Sequence, residues 1–332
     1  MSKLKTRTPS PRAAAQPPTG EPSSANRPAG RSLLSYWRDY ASVAPFFALF
    51  AAFGAIPLGY ALYLSTQSWD GLSDPKYVGL GQWTKLLHTP DLLTAAGNTV
   101  LIFVFGQVPV VIGALVAAAI LSQKRLRFRA FYQTAFFLPQ VTSVVAVTIV
   151  FQSLFADKYG FVNNILSTLG LPSQQWLTDP WMMKAVIALM VIWRGFGYFL
   201  LLFMAGISGI DPSVLEAAQI DGAGPVRVFR SITLPLLAPT MAFVTLTGAI
   251  SGLQIFTEPQ VLFGGTGGPN NGGLTMMLLQ YEYLGGIGSS GTNQLVRPDL
   301  GFAAVIGWVI FLALVLLALL NNRLLRKSFG GR

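Results

Sequence analysis

The sequence predicts an all-α polytopic membrane protein with six transmembrane helices, and three observations carry that prediction. First, 52% of its 332 residues are hydrophobic and 11% are charged, whereas soluble domains carry about 25% charge. Second, five stretches, 40–69, 92–123, 130–156, 231–257 and 300–322, contain no Asp, Glu, Lys or Arg, and a sixth, 185–210, is interrupted only by Arg194. Each is longer than the roughly 20 residues that cross about 30 Å of hydrocarbon as a helix. Third, the basic residues are sorted along the chain. Seven Lys and Arg fall in 1–40, four in 122–134, two in 208–234 and four in 323–332, against Lys76, Lys85, Lys158, Lys184 and Arg297 in the alternate loops. The positive-inside bias then places both termini in the cytoplasm.

Taken in order, residues 1–38 read as a disordered cytoplasmic tail rich in Pro, Ser, Ala, Arg and Gly, without the apolar periodicity of a folded segment. The charged start runs into Pro-rich sequence rather than an apolar h-region, so it is no signal peptide. A six-helix domain over 39–328 follows, with spans at about 41–66, 97–121, 135–155, 185–207, 236–258 and 301–322. Pro109 and Pro139 are expected to kink their helices. Outside the membrane, 67–96 carries Trp69 and Trp83, 156–184 carries Trp176 and Trp181, and 259–299 opens on a glycine run and holds a short helix at Leu274–Leu284.

Several functions are excluded early. There is no cysteine and one histidine, His88, which removes thiolate chemistry, Cys/His metal sites and any mechanism needing two imidazoles. No Gly-Lys pair occurs, so the chain has no Walker A loop; an ATP-driven process would use another polypeptide. The net charge of +10 is spread over inner loops rather than gathered on one water-facing surface, which argues against nucleic acid as a partner. An intramembrane enzyme is disfavoured because Glu258 is the only acidic residue near a span interior, leaving acid–base work without a pair.

The inner loop 208–235 is the most informative segment. Asp211 can cap a helix whose first residue is Pro212, Glu216-Ala217-Ala218 lie in its body, and Gly222 supplies the positive φ that ends it. A second short helix starts at Pro225. Two helices at an angle make a knob whose alanines admit a close partner and whose Glu216 offers a carboxylate to a cation; alternatively the loop only connects two spans.

Glu216-Ala217-Ala218, three residues, Gly222, nine residues, Ile232, one residue and Leu234-Pro235 resemble the EAA motif of permease subunits in binding-protein-dependent ABC importers. With Asp221-Gly222-Ala223-Gly224, Phe229, Phe128-Arg129, Phe137-Leu138-Pro139 and Gly267-Gly268-Pro269, the likeness covers most of 40–327. It is closest in character to the carbohydrate-uptake branch, the maltose-permease F-type and glycerol-3-phosphate-permease A-type subunits. The resemblance implies a prokaryotic plasma-membrane protein and a di- or oligosaccharide as cargo. Another solute, such as a polyol or a glycerol phosphate, is the runner-up. It further implies that Glu216, Ala217, Ala218, Asp221 and Gly222 belong to a coupling helix seated in a cytoplasmic ABC ATPase dimer, which binds the ATP and Mg. A homologous second permease subunit, of maltose-permease G-type, forms the other half of the pore, and an extracytoplasmic solute-binding protein delivers the sugar.

Polar residues inside spans should avoid lipid. Thr247, Ser251, Gln254 and Glu258 recur at i, i+4, i+7 and i+11, one helical face. Such a stripe suits hydrogen bonds to sugar hydroxyls, with Phe256 as a stacking surface; interhelical hydrogen bonding, about 0.6 kcal/mol per pair, is the alternative, and Glu258 can instead sit at the outer interface. In the fourth span, Trp193-Arg194-Gly195-Phe196-Gly197-Tyr198 is similar to the W-x-G-F-x-Y of maltose-type permeases, which implies sugar contacts at Gly195 and Tyr198. Arg194 can pair with Glu258 or a carbonyl. Gln140, Thr148 and Gln152 share a face that could complete the lining.

Overall fold

The computed structural model describes residues 37–123, 127–285 and 298–329, so nearly all of the 1–38 tail lies outside the described residues. Among those residues, five helices are long and apolar enough to cross a membrane: Tyr40–Leu64, Pro90–Leu121, Pro180–Ser208, Ala238–Leu262 and Leu300–Arg323. Counted together as one span, the pair Arg129–Val141 and Val144–Leu154, bent by 93°, makes a sixth. These are spans 1, 2, 4, 5, 6 and 3 respectively. The chain divides into two compact units, 1–57 and 58–332. The described part of the first is one apolar helix from Trp37, largely exposed along its length.

The expected single helix at 135–155 is therefore corrected to two. Pro139 has no N–H for the Ala135 carbonyl and its ring crowds that turn. The helix stops at Val141, and Thr142 turns extended at φ −76°, ψ 143°. The Thr142 hydroxyl donates to the Leu138 carbonyl at 3.1 Å, occupying an end group of the interrupted helix. Pro109 acts differently. It follows a π-helical turn, Phe103–Gln107, in which the Val108 N–H donates to Phe103 O, five residues back. The widened turn absorbs the missing donor, and the helix continues to Leu121. The same pairing recurs at Ala51–Ala55 before Pro57 and at Phe229–Thr233 before Pro235. Span 2 also starts earlier than expected, at Pro90.

Spans 2, 4 and 5 form the centre of the larger unit. Val110, Ala114, Ala118 and Leu121 of span 2 meet Phe199, Leu200, Phe203 and Met204 of span 4 and Val244 of span 5 in one buried cluster. Lipid tails are as apolar as these side chains, so close packing rather than water exclusion drives the association. Small residues permit it: a methyl on Gly106 would lie 3.3 Å from Ala188 Cα, and one on Gly197 would overlap the Phe136 carbonyl of span 3.

At the end of the spans opposite the loop 208–235, Leu274, Leu278 and Leu279 are buried against Leu86, Ala95, Phe302, Val305 and Ile306. The short helix expected at 274–284 is Met276–Tyr283. Asn98 donates to the Asn271 and Leu274 carbonyls at 2.8 and 3.0 Å, and Asn271 donates to Asp91 at 2.8 Å. Asp299 accepts from Lys85 at 2.7 Å and from Gln82 at 3.0 Å while also accepting the Phe302 N–H at the start of span 6. These bonds fix a cap onto the ends of spans 2 and 6.

Candidate functional site

Spans 2, 3, 4 and 5 line an open cavity of about 640 Å³, whose lining includes Gln107, Gln140, Arg194, Gly195, Tyr198, Thr247, Ser251, Gln254, Phe256 and Glu258. The six residues expected along the path, Gly195, Tyr198, Thr247, Ser251, Gln254 and Glu258, all face this one space. The geometric reason differs in part from the sequence argument. The span 5 helix ends at Leu253; Gln254 is its C-cap at φ −98°, ψ 23°, and a new turn, Thr257–Leu262, begins after Phe256 at φ −139°, ψ −55°. Thr247 and Ser251 share a face one turn apart, and Glu258 lines the same cavity from the turn beyond the break.

Glu258 lines the cavity, with Oε1 3.4 Å from Nη1 of Arg194; their side chains are 12% and 28% exposed. A cation and a carboxylate this close offset each other, and together they leave the lining balanced in charge. The Thr247 hydroxyl donates to the Phe243 and Val244 carbonyls at 2.9 and 3.1 Å, which leaves its oxygen an acceptor toward the cavity. Tyr198 meets Phe199 edge to face at 5.1 Å, and Phe256 meets Tyr281 likewise at 5.0 Å, so both cavity rings are held in fixed orientations. Donors, acceptors and rigid ring faces in one space suit a hydroxyl-rich solute that presents both polar edges and C–H faces.

Of the third-span face, only Gln140 joins the lining, carried there on the last turn before the helix break. Thr148 is fully buried and donates back to the Val144 carbonyl of its own helix at 2.8 Å, and Gln152 donates to the Leu262 carbonyl at 3.3 Å; of the two, only Gln152 ties span 3 to span 5. Gln107 is a lining residue the sequence reading passed over. It is the one side chain with a hydrogen-bonding group between Val100 and Leu121, and a polar group isolated in so apolar a run is itself a signal.

The second expected site is the loop 208–235. Asp211 accepts the Ser213 N–H at 2.9 Å, which holds its carboxyl below the usual range and caps the helix Pro212–Ile220. Gly222 sits at φ +76°, and the Ala223 N–H closes the helix end onto the Ala218 carbonyl at 3.0 Å. Pro225–Val228 starts the returning piece. Glu216, Ala217, Asp221 and Gly222 are exposed. Ala218 is not: at 7% exposure it turns toward its own chain, so its small size serves the knob's own packing. Val214, Ile220 and Val226 stand out from the same knob, Ile220 at 86% exposure. An apolar rim around a carboxylate is the chemistry of a protein-docking surface.

A helical membrane protein with a polar cavity between its central spans and a capped two-helix knob on the loop between spans 4 and 5 belongs to the class of polytopic transport proteins. Residues 109–330 match the family described as binding-protein-dependent transport system inner membrane component, and the chain belongs to that family. It is 37% identical to the lactose transport system permease protein LacF of Rhizobium radiobacter over 88% of this chain and 96% of that protein. It is 33% identical to the arabinooligosaccharides transport system permease protein AraP of Halalkalibacterium halodurans, over 84% and 85%. Among solved structures it shares the fold of a chain of the bacterial alginate ABC transporter in complex with an alginate pentasaccharide-bound periplasmic protein. That likeness has a TM-score of 0.70 at 22% identity, covering 89% of this chain and 96% of that one.

Proposed function

We propose that this permease forms one half of the translocation path of an ATP-driven importer for di- or oligosaccharides. The observation that carries the reading is the cavity: the residues chosen from the sequence as sugar contacts line one space, with hydroxyl, amide and aromatic groups balanced around an ion pair. The curated relatives point the same way, since their names refer to lactose and arabinooligosaccharides. A homologous second subunit supplies the other half, and an extracytoplasmic binding protein presents the sugar. The loop 208–235 seats in a cytoplasmic ATPase dimer that holds the ATP and Mg. Closure of that dimer pushes the knob formed around Glu216 and Gly222, and spans 4 and 5 carry the movement to the cavity, because the loop joins their inner ends. Both termini lie in the cytoplasm.

Reconstitution with the partners encoded beside it tests this. Lactose and arabinotriose uptake into proteoliposomes should require both ATP and the binding protein. Glu216→Lys or Gly222→Asp should abolish uptake at an unchanged membrane level, because reversing a charge in a desolvated interface costs about 2–5 kcal/mol and a side chain at positive φ adds strain. A tag at position 224 should react from the cytoplasm and one at position 74 from outside. Uptake that needs no ATP, or normal transport in both variants, would remove the coupled-importer reading.

A further inference from the structure

Between spans 3 and 4, at the end of span 4 opposite the loop 208–235, lies a short helix, Phe161–Thr168. Its sides divide in three. Val162 packs against the buried cluster of Phe151, Phe155, Val186 and Met190 that joins spans 3 and 4, and Asn163 beside it is buried. Phe161, Ile165 and Leu169 recur at i, i+4 and i+8, so they form one stripe, and they are 60%, 45% and 67% exposed. Asn164, Ser167 and Thr168 make a second exposed flank, which is polar throughout.

The exposed stripe is held rigidly. The Asn163 side chain donates to the Asp157 and Gln174 carbonyls, both at 2.8 Å, and accepts from the Gln174 N–H at 3.0 Å and from Trp176 Nε1 at 2.9 Å. Asp157 in turn accepts the Leu177 N–H at 2.9 Å and the Thr178 hydroxyl at 2.7 Å. Gly170 at φ +72° lets the Leu171 N–H return to the Leu166 carbonyl at 2.9 Å, which closes the helix end. An apolar stripe fastened outward in this way marks an interaction surface.

The surroundings identify what it meets. Tyr159 and Trp181 are exposed beside it, and Lys184 sits with Nζ 5.0 Å over the Trp181 ring; aromatic rings and long cations together are the composition of the lipid headgroup layer. The helix follows closely on the end of span 3 at Leu154, where Ile149 and Val150 are exposed and apolar too, so the stripe continues the surface of a membrane span. An exposed side split into one apolar and one polar flank suits a helix lying along the boundary between acyl chains and water.

We propose that Phe161–Thr168 is an interfacial anchor, with Phe161, Ile165 and Leu169 set into the phospholipid leaflet on that side and Asn164, Ser167 and Thr168 facing water. Because the helix is fastened to the ends of spans 3 and 4, its depth sets theirs. The inference goes beyond the transport reading and holds whichever solute is carried.

The test uses the complete importer in phospholipid nanodiscs, with any cysteine of the partner subunits replaced; this chain has none. Phe161→Cys, Ile165→Cys and Leu169→Cys on the apolar flank, and Asn164→Cys and Ser167→Cys on the polar flank, each carry one fluorophore. A phosphatidylcholine with a nitroxide high on its acyl chain should quench the apolar-flank labels roughly threefold more than the others, because an interfacial helix buries its apolar side ~5–10 Å into the headgroup and acyl boundary. Aqueous iodide should show the reverse order, and adding the binding protein should leave the lipid quenching unchanged. Iodide reaching both flanks alike would put the stripe in water, both quenchers missing it would put it beneath another subunit, and lipid quenching lost on adding the binding protein would give it to that partner; each result overturns the proposal. Should the variants not assemble, the wild type decides. A photoactivatable phosphatidylcholine should leave adducts, located by mass, within 158–171, and adducts confined to the spans would overturn the anchor.

Discussion

Arg194 of span 4 and Glu258 of span 5 approach to 3.4 Å inside the cavity, the one ion pair between spans among the described residues. Neither partner is well placed alone. Glu258→Gln leaves a cation in a partly dry site, and Arg194→Met leaves a carboxylate there. Each single change should lower the unfolding free energy by about 1–3 kcal/mol, and the double change should cost less than the sum of the two. Thermal unfolding of the four proteins in detergent, read as a double-mutant cycle, checks this; purely additive losses would mean that the pair does not act as a unit.

Gly195 and Gly197 stand two residues apart and should respond in opposite ways. A methyl at Gly195 finds Val110 Cγ1 at 3.7 Å, an ordinary contact, whereas one at Gly197 meets the Phe136 backbone carbonyl. Gly195→Ala should leave assembly unchanged and affect only the cavity wall. Gly197→Ala should cost about 1–3 kcal/mol through separation of spans 3 and 4, visible as reduced yield of folded protein on size-exclusion chromatography. Equal yields of the two variants would contradict the close approach.

Glu282, 5% exposed in the cap over spans 2 and 6, titrates far from the usual carboxylate range: burial, with the Asp91 carboxylate adding to it, pushes its pKa up to about 7. The folded state therefore favours the protonated form. The stability this contributes is complete below about pH 4.5 and is lost as pH rises through 7. Wild-type Tm should drop by roughly 2–8 °C between pH 5 and pH 8, and Glu282→Gln, neutral throughout, should remove most of that dependence. An unchanged slope in the variant would mean that another group is responsible.

Much of this was legible in the sequence, for a physical reason. Charge is so costly in hydrocarbon that runs without it mark the spans, and Asp211, Pro212 and Gly222 mark the knob because caps and positive φ select residue types locally. What escaped depends on where a helix stops being regular. Pro139 announces strain but not whether the helix kinks or breaks, and nothing local distinguishes it from Pro109, whose strain is absorbed by the π-helical turn before it. That same turn ends on Gln107, the lining residue the sequence reading passed over. Glu258 was expected at the cavity from a continuous helix and lines it from the turn beyond a break. Ala218 was assigned to a partner's surface because a small residue in an exposed loop reads alike whether it faces out or in.

The role of the cavity is tested most directly by transport per assembled complex in Tyr198→Ala and Gln254→Ala, measured in reconstituted vesicles with the same sugar as the wild type. Both residues line the cavity, and Gln254 is exposed to it, so truncation removes a ligand contact; Tyr198 also packs against the cluster between spans 2 and 4, and its transport is therefore read per assembled complex. Gln254→Ala should fall about two- to tenfold at subsaturating sugar, the loss of one hydrogen bond. Tyr198→Ala should fall further, since an aromatic platform goes with it. Gln254→Ala should assemble at wild-type yield. Unchanged transport per complex, with the defect confined to how much complex forms, would contradict the cavity as the sugar path and reduce these side chains to contacts between helices.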